Sequence, residues 1–372
     1  MNMLKGTSIL LPKPAESKQV SAYFVFYLVT SMQIGVGILG FERYISKAAG
    51  NDAWISIIIS GLSIHVLLWV IYQILETGQN DIFGIQKHLF GKWIGGFFNF
   101  FLILYLTVFG IIVLRSFVEV IQVWMFPDLR TWYLSMIILV LVYLAVFGGF
   151  RVIVGLTLLG VIYGLPLLLL KFFPLQQSHF YYLEPIMNHS ISDLYQGSKI
   201  MTLNYLGFET LFFYYPFIKD AQKSQKWAHL GMLFTIAIYL FTGLVSFVYF
   251  SKEQLAHTIW PTLSLWQTVD LPFIQRFEYF GLAIWLFVIL PDLCMYVWAA
   301  SRGIKELFHL KQKKGVLLVL IIIFAASLFL TDRQKIDMAT TILNKTGFYV
   351  IYFYIPFIYI YQLIHKKVRK KG

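Results

Sequence analysis

A small group of polar residues interrupts an apolar stretch near the middle of the chain. Residues 195–217 are long enough to cross a hydrocarbon layer of ~30 Å, yet they contain Asn204, Gly207, Glu209 and Thr210. A carboxylate at mid-bilayer costs roughly 3 kcal/mol, so such a residue usually faces a cavity or a partner. Glycine lets the backbone leave helical geometry and frees N–H and C=O groups that can hold a ligand. The pattern predicts a helix that is broken beside Glu209, at a polar site within the membrane.

The first apolar stretch carries a similar interruption. Residues 33–39 read Gln-Ile-Gly-Val-Gly-Ile-Leu, so that Gly35 and Gly37 lie halfway along an apolar helix. Broken helices at corresponding positions of two halves indicate a transporter-type binding site at the midplane. Free N–H groups at such breaks suit a carboxylate and free carbonyls suit a cation, so the pair fits a small zwitterion whose ammonium group meets Glu209. The alternative is that both glycines only permit close helix packing.

Two further polar features lie within apolar stretches. Asp292 follows Pro291, which frees a carbonyl one turn earlier, so it either lines the same cavity or a cation site, or caps a kinked helix. Asp292 and Glu209 are thus the candidates for an ion or coupling site. Arg115 and Glu119 lie four residues apart on one helix face and are predicted to form a structural pair.

The elements that must position these residues are membrane helices. The chain of 372 residues is 59% hydrophobic, 18% aromatic and 13% charged, with a mean hydropathy of +0.72, which a soluble protein could not bury. Its one cysteine, Cys294, excludes an internal disulfide. The polar opening segment lacks the basic-then-apolar order of a cleaved signal peptide, so the first span is expected to remain as a membrane helix. We find no hydrolase elbow, metal-ligand cluster or phosphate loop, so we predict no enzyme, metal or cofactor. The net charge of +12 is expected to set orientation and not to bind nucleic acid.

Ten apolar stretches predict an all-α polytopic membrane protein with about ten transmembrane helices. Ten spans place both termini on one side, and close to two thirds of the 30 Lys and Arg residues fall there, so this side is expected to be cytoplasmic. Spans one and six each begin a half of five, and an odd number of spans inverts the second half. We expect one transmembrane domain, 1–372, with halves 1–172 and 195–364 and a basic cytoplasmic tail, 365–372. The spans are 20–43, 53–75, 94–126, 131–149, 151–172, 196–218, 226–250, 276–301, 314–331 and 341–364.

Three motifs, in this order and spacing, are shared with a known family. They are the Gln-Ile-Gly-Val-Gly-Ile-Leu break, Leu-Arg-Ser-Phe-Val-Glu at 114–119, and Gly-Phe-Glu-Thr-Leu-Phe-Phe-Tyr-Tyr-Pro at 207–216. With them the chain resembles, over essentially its whole length, the B subunits of GerA-type spore germinant receptors. Where that family often has a proline soon after the first glycine pair, this chain has Gly40-Phe41-Glu42.

The resemblance carries expectations about fold, location and partners. It implies the LeuT-like fold of the amino acid–polyamine–organocation transporters, a five-plus-five inverted repeat with helices 1 and 6 broken. It implies the inner membrane of the bacterial spore, with an A-type membrane subunit and a C-type lipoprotein subunit as partners. It also implies that a nutrient, such as an amino acid or a sugar, is sensed to trigger germination.

Several functions remain compatible with these residues. In the first, a nutrient binds at the two breaks and shifts the helices around them, and partner subunits detect the shift. In the second, the chain is an H⁺- or Na⁺-coupled amino acid permease, and in a weaker third it is a scaffold with a vestigial pocket. A transporter fold does not separate these, whereas the resemblance favours the receptor. The candidate ligand-binding residues are Gly35, Val36, Gly37, Ile38, Tyr105, Asn204, Gly207, Phe208, Glu209 and Thr210.

Overall fold

The architecture is helical because the backbone of an apolar chain must satisfy its own hydrogen bonds inside a bilayer. The computed structural model describes residues 14–369, so residues 370–372 of the predicted basic tail lie outside the described part. Within that part the regular structure consists of helices and two isolated bridges, which confirms the all-α prediction. The helices of the first half are α1 (Phe24–Gln33), α2 (Phe41–Ala49), α3 (Ala53–Gly78), α4 (Ile82–Trp124), α5 (Thr131–Phe147), α6 (Phe150–Leu169) and the short α7 (Phe172–Leu175).

The second half begins after a loop that contains a 3₁₀ turn, Phe180–Leu183. Its last span is continuous through a π-helical segment, Val350–Tyr354. Two short helices lie in the connection 251–275. The helices are α8 (Ile191–Thr202), α9 (Leu211–Tyr214), α10 (Gln225–Tyr249), α11 (Lys252–His257), α12 (Pro261–Trp266), α13 (Phe277–Phe308), α14 (Gln312–Phe329), α15 (Arg333–Tyr349) and α16 (Ile355–Arg369).

The ten predicted spans are present, and they are of three kinds: long helices, one shorter helix and two interrupted helices. Within residues 14–369, seven helical segments are long and apolar enough to cross a membrane. α5, with 17 residues, is a shorter apolar span. The other two spans are interrupted, one between α1 and α2 and the other between α8 and α9. The ten-span fold with helices 1 and 6 broken is therefore confirmed.

α4 is longer than the third predicted span because a second helix joins its N-terminal end. It has 43 residues and contains one non-helical residue, Gly91, at φ +76°. The carboxylate of Asp81 accepts a hydrogen bond from the backbone N–H of Gly84 at 3.0 Å, which caps the helix start. The segment before Gly91 is thus a short separate helix, and the glycine lets the chain turn into the span.

The two interrupted spans run side by side in opposite directions. At one end Val20 N–H donates to the Phe217 carbonyl at 2.9 Å, and Lys219 N–H donates to the Val20 carbonyl at 2.8 Å. At the other end the Asp52 carboxylate, just after α2, accepts from Met187 N–H at 2.7 Å, just before α8. The start of span one therefore lies beside the end of span six, and the reverse holds at the far end. An inverted repeat requires this arrangement.

The breaks lie in the centre of the bundle. α13 packs along α4 and α6, while α1 packs against α10 and α6. α8 packs against α3 and α2. Every helix that faces the breaks therefore belongs to the same core, and the polar groups of the breaks are held by neighbours that are themselves fixed by packing.

Candidate functional site

The first break is a short 3₁₀ turn between two helices. α1 ends at Gln33, the turn spans Val36–Leu39, and α2 starts at Phe41. Gly35 lies outside the helical region at φ −114° and ψ −145°. The interruption predicted from the two glycines is present where the sequence places it.

The second break contains two 3₁₀ turns around a glycine. Leu203–Tyr205 and Phe208–Thr210 flank Gly207, whose φ of +120° is a conformation that side-chain-bearing residues rarely adopt. The hydroxyl of Thr210 donates to the Gly207 carbonyl at 2.6 Å and closes the turn. Glycine is therefore required here by the backbone.

The two breaks touch each other. A Cβ atom built on Gly207 would lie 1.9 Å from the carbonyl oxygen of Met32, at the end of α1. A Cβ atom built on Gly37 would lie 2.8 Å from the side-chain oxygen of Asn204. Because neither glycine has a side chain, the interrupted segments approach to backbone contact. The predicted residues of the two breaks thus form one cluster.

Two side chains outside the predicted set bind the carbonyls that the breaks leave free. The Tyr239 hydroxyl, on α10, contacts the carbonyls of Gln33 at 2.8 Å and of Asn204 at 3.0 Å. The Gln33 amide donates to the Tyr205 carbonyl at 3.0 Å. Irregular backbone at membrane depth needs such partners. The glutamine directly before the glycine motif was a usable sequence signal for this role, whereas nothing in the sequence singles out Tyr239 among 23 tyrosines.

Glu209 is buried between the two breaks and α4, with 3% of its surface exposed. Its Oε2 accepts from the backbone N–H of Gly207 at 2.7 Å, and its Oε1 accepts from the Tyr105 hydroxyl at 2.9 Å. The carboxylate faces neither lipid nor a basic side chain among the residues described. Tyr105, one of the candidate ligand-binding residues, is a direct hydrogen-bond donor to it.

Accessible space lies on the glycine side of the cluster. Gly37 is exposed, and Gly35, Val36 and Asn204 are half-buried, whereas Phe208 is fully buried. The accessible groups of the cluster are therefore those of the first break and Asn204, whereas Glu209 is buried.

Asp292 lies against the first break from α13. It is 2% exposed, and a Cβ atom built on Gly35 would lie 3.1 Å from its Oδ2. Its Oδ1 has no hydrogen-bond partner in the described part of the chain. The sequence left two alternatives for Asp292, a cavity or cation site and a helix cap. Its position beside the first break fits the first alternative, because a buried carboxylate oxygen without a partner is suited to bind a cation or a hydrogen-bond donor.

Arg115 and Glu119, the predicted pair, interact through their charges, but their direct hydrogen-bond partners lie on other segments. Arg115 Nε donates to the Leu330 carbonyl at 2.6 Å, just past the end of α14. Glu119 instead accepts from Arg333 Nη1 at 2.9 Å, at the start of α15. The spacing does place both residues on one helix face. They turn to α15 and to the end of α14, however, where a second guanidinium and carbonyls without helical partners are available.

A separate cavity of about 50 Å³ lies beside the first break, and Glu209 is not among the residues that line it. It is bounded by α1, α6, α10, α12 and α13 and includes the side chain of Lys171, so we call it the Lys171 cavity. Ile38 is the one predicted site residue among those that line it. Sequence reasoning missed this space because its walls come from five segments that are far apart in the chain.

A family model and two relatives of known name all match the chain over most of its length. Residues 19–336 match the family described as spore germination protein. The spore germination protein GerQB of Bacillus cereus is 42% identical over 352 residues, which cover 95% of this chain and 98% of that protein. The spore germination protein A2 of Bacillus subtilis strain 168 is 24% identical, with 91% of this chain and 94% of that protein covered.

Solved structures share the fold at low sequence identity. A Na⁺-coupled sialic acid symporter in a substrate-bound outward-open state is similar with a TM-score of 0.64 and 12% identity, covering 90% of this chain and 79% of that one. MhsT in complex with L-phenylalanine is similar with a TM-score of 0.59 and 12% identity, covering 93% and 99%. These similarities confirm the LeuT-like, five-plus-five architecture. They do not identify a solute that this chain binds or transports.

Proposed function

The chain belongs to the spore germination protein family, and we propose that within it the protein is the nutrient-sensing subunit of a germinant receptor. A small nutrient, an amino acid or a sugar, binds where the two interrupted helices meet. The observation that carries the proposal is the contact between the breaks, with Gly37 accessible and the Glu209 carboxylate buried behind them. Germination relatives that match nearly the whole chain support the receptor role.

The nutrient meets two kinds of group in this cluster. Backbone groups near Gly35 and Gly37, together with Asn204, are suited to the polar ends of a small solute. Glu209 is suited to an ammonium or hydroxyl group, but both of its oxygens already accept hydrogen bonds. Binding that engages Glu209 therefore rearranges the Tyr105 and Gly207 contacts. Such a rearrangement would give the nutrient different affinities for two conformations, which signalling requires.

The receptor works in the inner membrane of the spore with both termini in the cytoplasm. An A-type membrane subunit and a C-type lipoprotein subunit detect the movement of the broken helices. The name of the relative GerQB supports membership of a multi-subunit receptor. The partner proposal predicts that coding sequences for an A-type subunit and a lipoprotein flank this one, and that both proteins co-purify with the chain from spore membranes.

The decisive test uses spores that carry variants of this chain alone. Glu209→Gln and Gly37→Leu are expected to abolish nutrient-triggered germination, while a trigger that bypasses nutrient receptors still works. Glu184→Gln, which changes an exposed glutamate in the loop before α8, is the matched control and should leave the response intact. A normal nutrient response in both site variants, with normal amounts of protein in the membrane, would contradict the proposed site.

The second candidate function is a coupled amino acid permease. The solved structures that share the fold are transporters, one of them Na⁺-coupled, and Asp292 keeps a buried oxygen without a partner beside the first break. In that case the purified chain alone in liposomes should accumulate a labelled amino acid against its gradient, and Asp292→Asn should stop it. Such accumulation would count against the proposal that the chain is a receptor that does not transport its ligand.

A further inference from the structure

The Lys171 cavity has the size of a binding site for a very small solute. Its volume is about 50 Å³. One water needs about 10–15 Å³ of such space, so the cavity holds roughly three to five waters or a solute of about three to five heavy atoms. Ile34 and Ile38 of the first break form one wall, and Leu168 of α6 forms part of another. A solute there would contact the broken helix without reaching Glu209.

Four side chains that line the cavity have buried polar atoms without a partner in the described part of the chain. They are the hydroxyls of Ser31 and Thr242 and the indole nitrogens of Trp266 and Trp285. The four residues come from α1, α10, α12 and α13, so one distorted segment does not explain them. An indole N–H can only donate, while a hydroxyl can donate or accept. Buried groups of this kind normally have partners, and a bound acceptor in the cavity would supply them.

Lys171 adds a positive charge to the same space. The residue lies between α6 and α7 and is 3% exposed. Its Nζ donates to the Thr262 hydroxyl at 3.2 Å, and that hydroxyl contacts a carboxylate oxygen of Glu42 at 2.8 Å. The lysine therefore reaches the glutamate through a threonine. An ammonium group has three donors, and the Thr262 contact uses one of them, which leaves two for a ligand.

We propose that the Lys171 cavity binds a small monocarboxylate at a site distinct from the nutrient site at the breaks. The carboxylate oxygens accept hydrogen bonds from Lys171 Nζ and from the indole N–H groups of Trp266 and Trp285. The short aliphatic part lies against Ile34 and Ile38. A metal cation is unsuited to this space because it would lie beside the Lys171 ammonium group, which repels it. Since two residues of the first break form a wall, an occupied cavity stabilises the break in its present geometry.

The test measures binding to the purified full-length chain in lipid nanodiscs by calorimetry, with propionate as the probe. Propionamide, which has the same shape and no charge, is the first comparison. Lys171→Met removes the ammonium and keeps the length of the side chain, and Lys47→Met, at an exposed lysine of α2, is its matched control. Trp285→Phe removes one N–H donor and keeps an aromatic ring, so it decides the matter should Lys171→Met fail to fold.

Propionate is expected to bind the unchanged chain, Lys47→Met and Glu209→Gln alike, since the nutrient site is separate. Lys171→Met should weaken binding about tenfold or more, and Trp285→Phe about threefold to tenfold, because charged donors contribute more than neutral ones. Equal affinity for propionamide, or affinity unchanged in both cavity variants, would overturn the proposal. Absence of propionate binding would overturn it too and would mean that the cavity holds only water. None of these outcomes bears on the Glu209 germination test, so the two proposals fail independently.

Discussion

Gly207 and Met32 are in backbone contact across the two interrupted spans. A Cβ atom on Gly207 would lie 1.9 Å from the Met32 carbonyl oxygen, and the glycine has φ of +120°. Sterics and backbone conformation thus exclude a side chain at this position independently. The contact fixes how closely the second break can approach the end of α1, and with it the position of Glu209 two residues later.

Gly207→Ala is therefore expected to destabilise the protein by about 3 kcal/mol or more, since it combines a strained backbone with overpacking. The measurement is the amount of folded protein in detergent and its melting temperature. Gly155→Ala is the matched control, because a Cβ atom at Gly155 in α6 meets no atom within 4 Å. A Gly207→Ala protein that melts like the control would show that the two breaks do not touch.

The interruptions themselves could be predicted from the sequence because a continuous lipid-facing helix gains nothing from glycines and a carboxylate in its middle. The side-chain contacts that hold the two breaks together could not be predicted from the sequence. The Tyr239 hydroxyl bridges carbonyls of Gln33 and Asn204, residues that are far apart in the chain and meet only in the folded bundle. The same limit accounts for the missed hydrogen-bond partner of Glu119, because helical spacing identifies neighbours on one helix and Arg333 comes from another.

Tyr239→Phe tests whether that hydroxyl holds the breaks together. The variant keeps the ring and leaves two buried carbonyls without this donor, so the free energy of unfolding should fall by about 1–3 kcal/mol. Thermal melting in detergent measures the change. Tyr163→Phe, at an exposed position of α6, should leave the melting temperature unchanged. Equal melting of the two variants would mean that the carbonyls find other partners.

At the C-terminal end of α4, Arg333 joins α15 to that helix through Glu119 at 2.9 Å, with the two side chains 34% and 8% exposed. Because the pair is partly exposed, we expect a coupling energy of about 1 kcal/mol and not that of a fully buried pair. A double-mutant cycle of Glu119→Gln and Arg333→Met, read by thermal melting, measures it. The double variant should be more stable than the sum of the single effects, since Arg333→Met alone leaves a buried carboxylate unpaired. Simple additivity would show that the contact contributes nothing.

A stronger ion pair closes the opposite side of the bundle. Arg302 of α13 donates from Nε at 3.0 Å and from Nη2 at 2.7 Å to one oxygen of Asp81, and the two side chains are 11% and 0% exposed. Arg302→Met leaves the Asp81 carboxylate buried without its partner, so we expect a loss of about 3–5 kcal/mol in stability. Lys305→Met, at an exposed lysine one turn further along α13, is the matched control and should be neutral within about 0.5 kcal/mol.

The same variant also separates a structural role for Arg302 from a role in signalling. Asp81 caps α4 through Gly84, so the pair ties α13 to the start of the helix that carries Tyr105. The double variant Arg302→Met with Asp81→Asn removes both charges and keeps an amide oxygen for the cap, so it should recover much of the stability. If the pair only stabilises the fold, germination in response to nutrient returns with stability. If α13 and α4 must move together to signal, the double variant is folded and remains insensitive to nutrient.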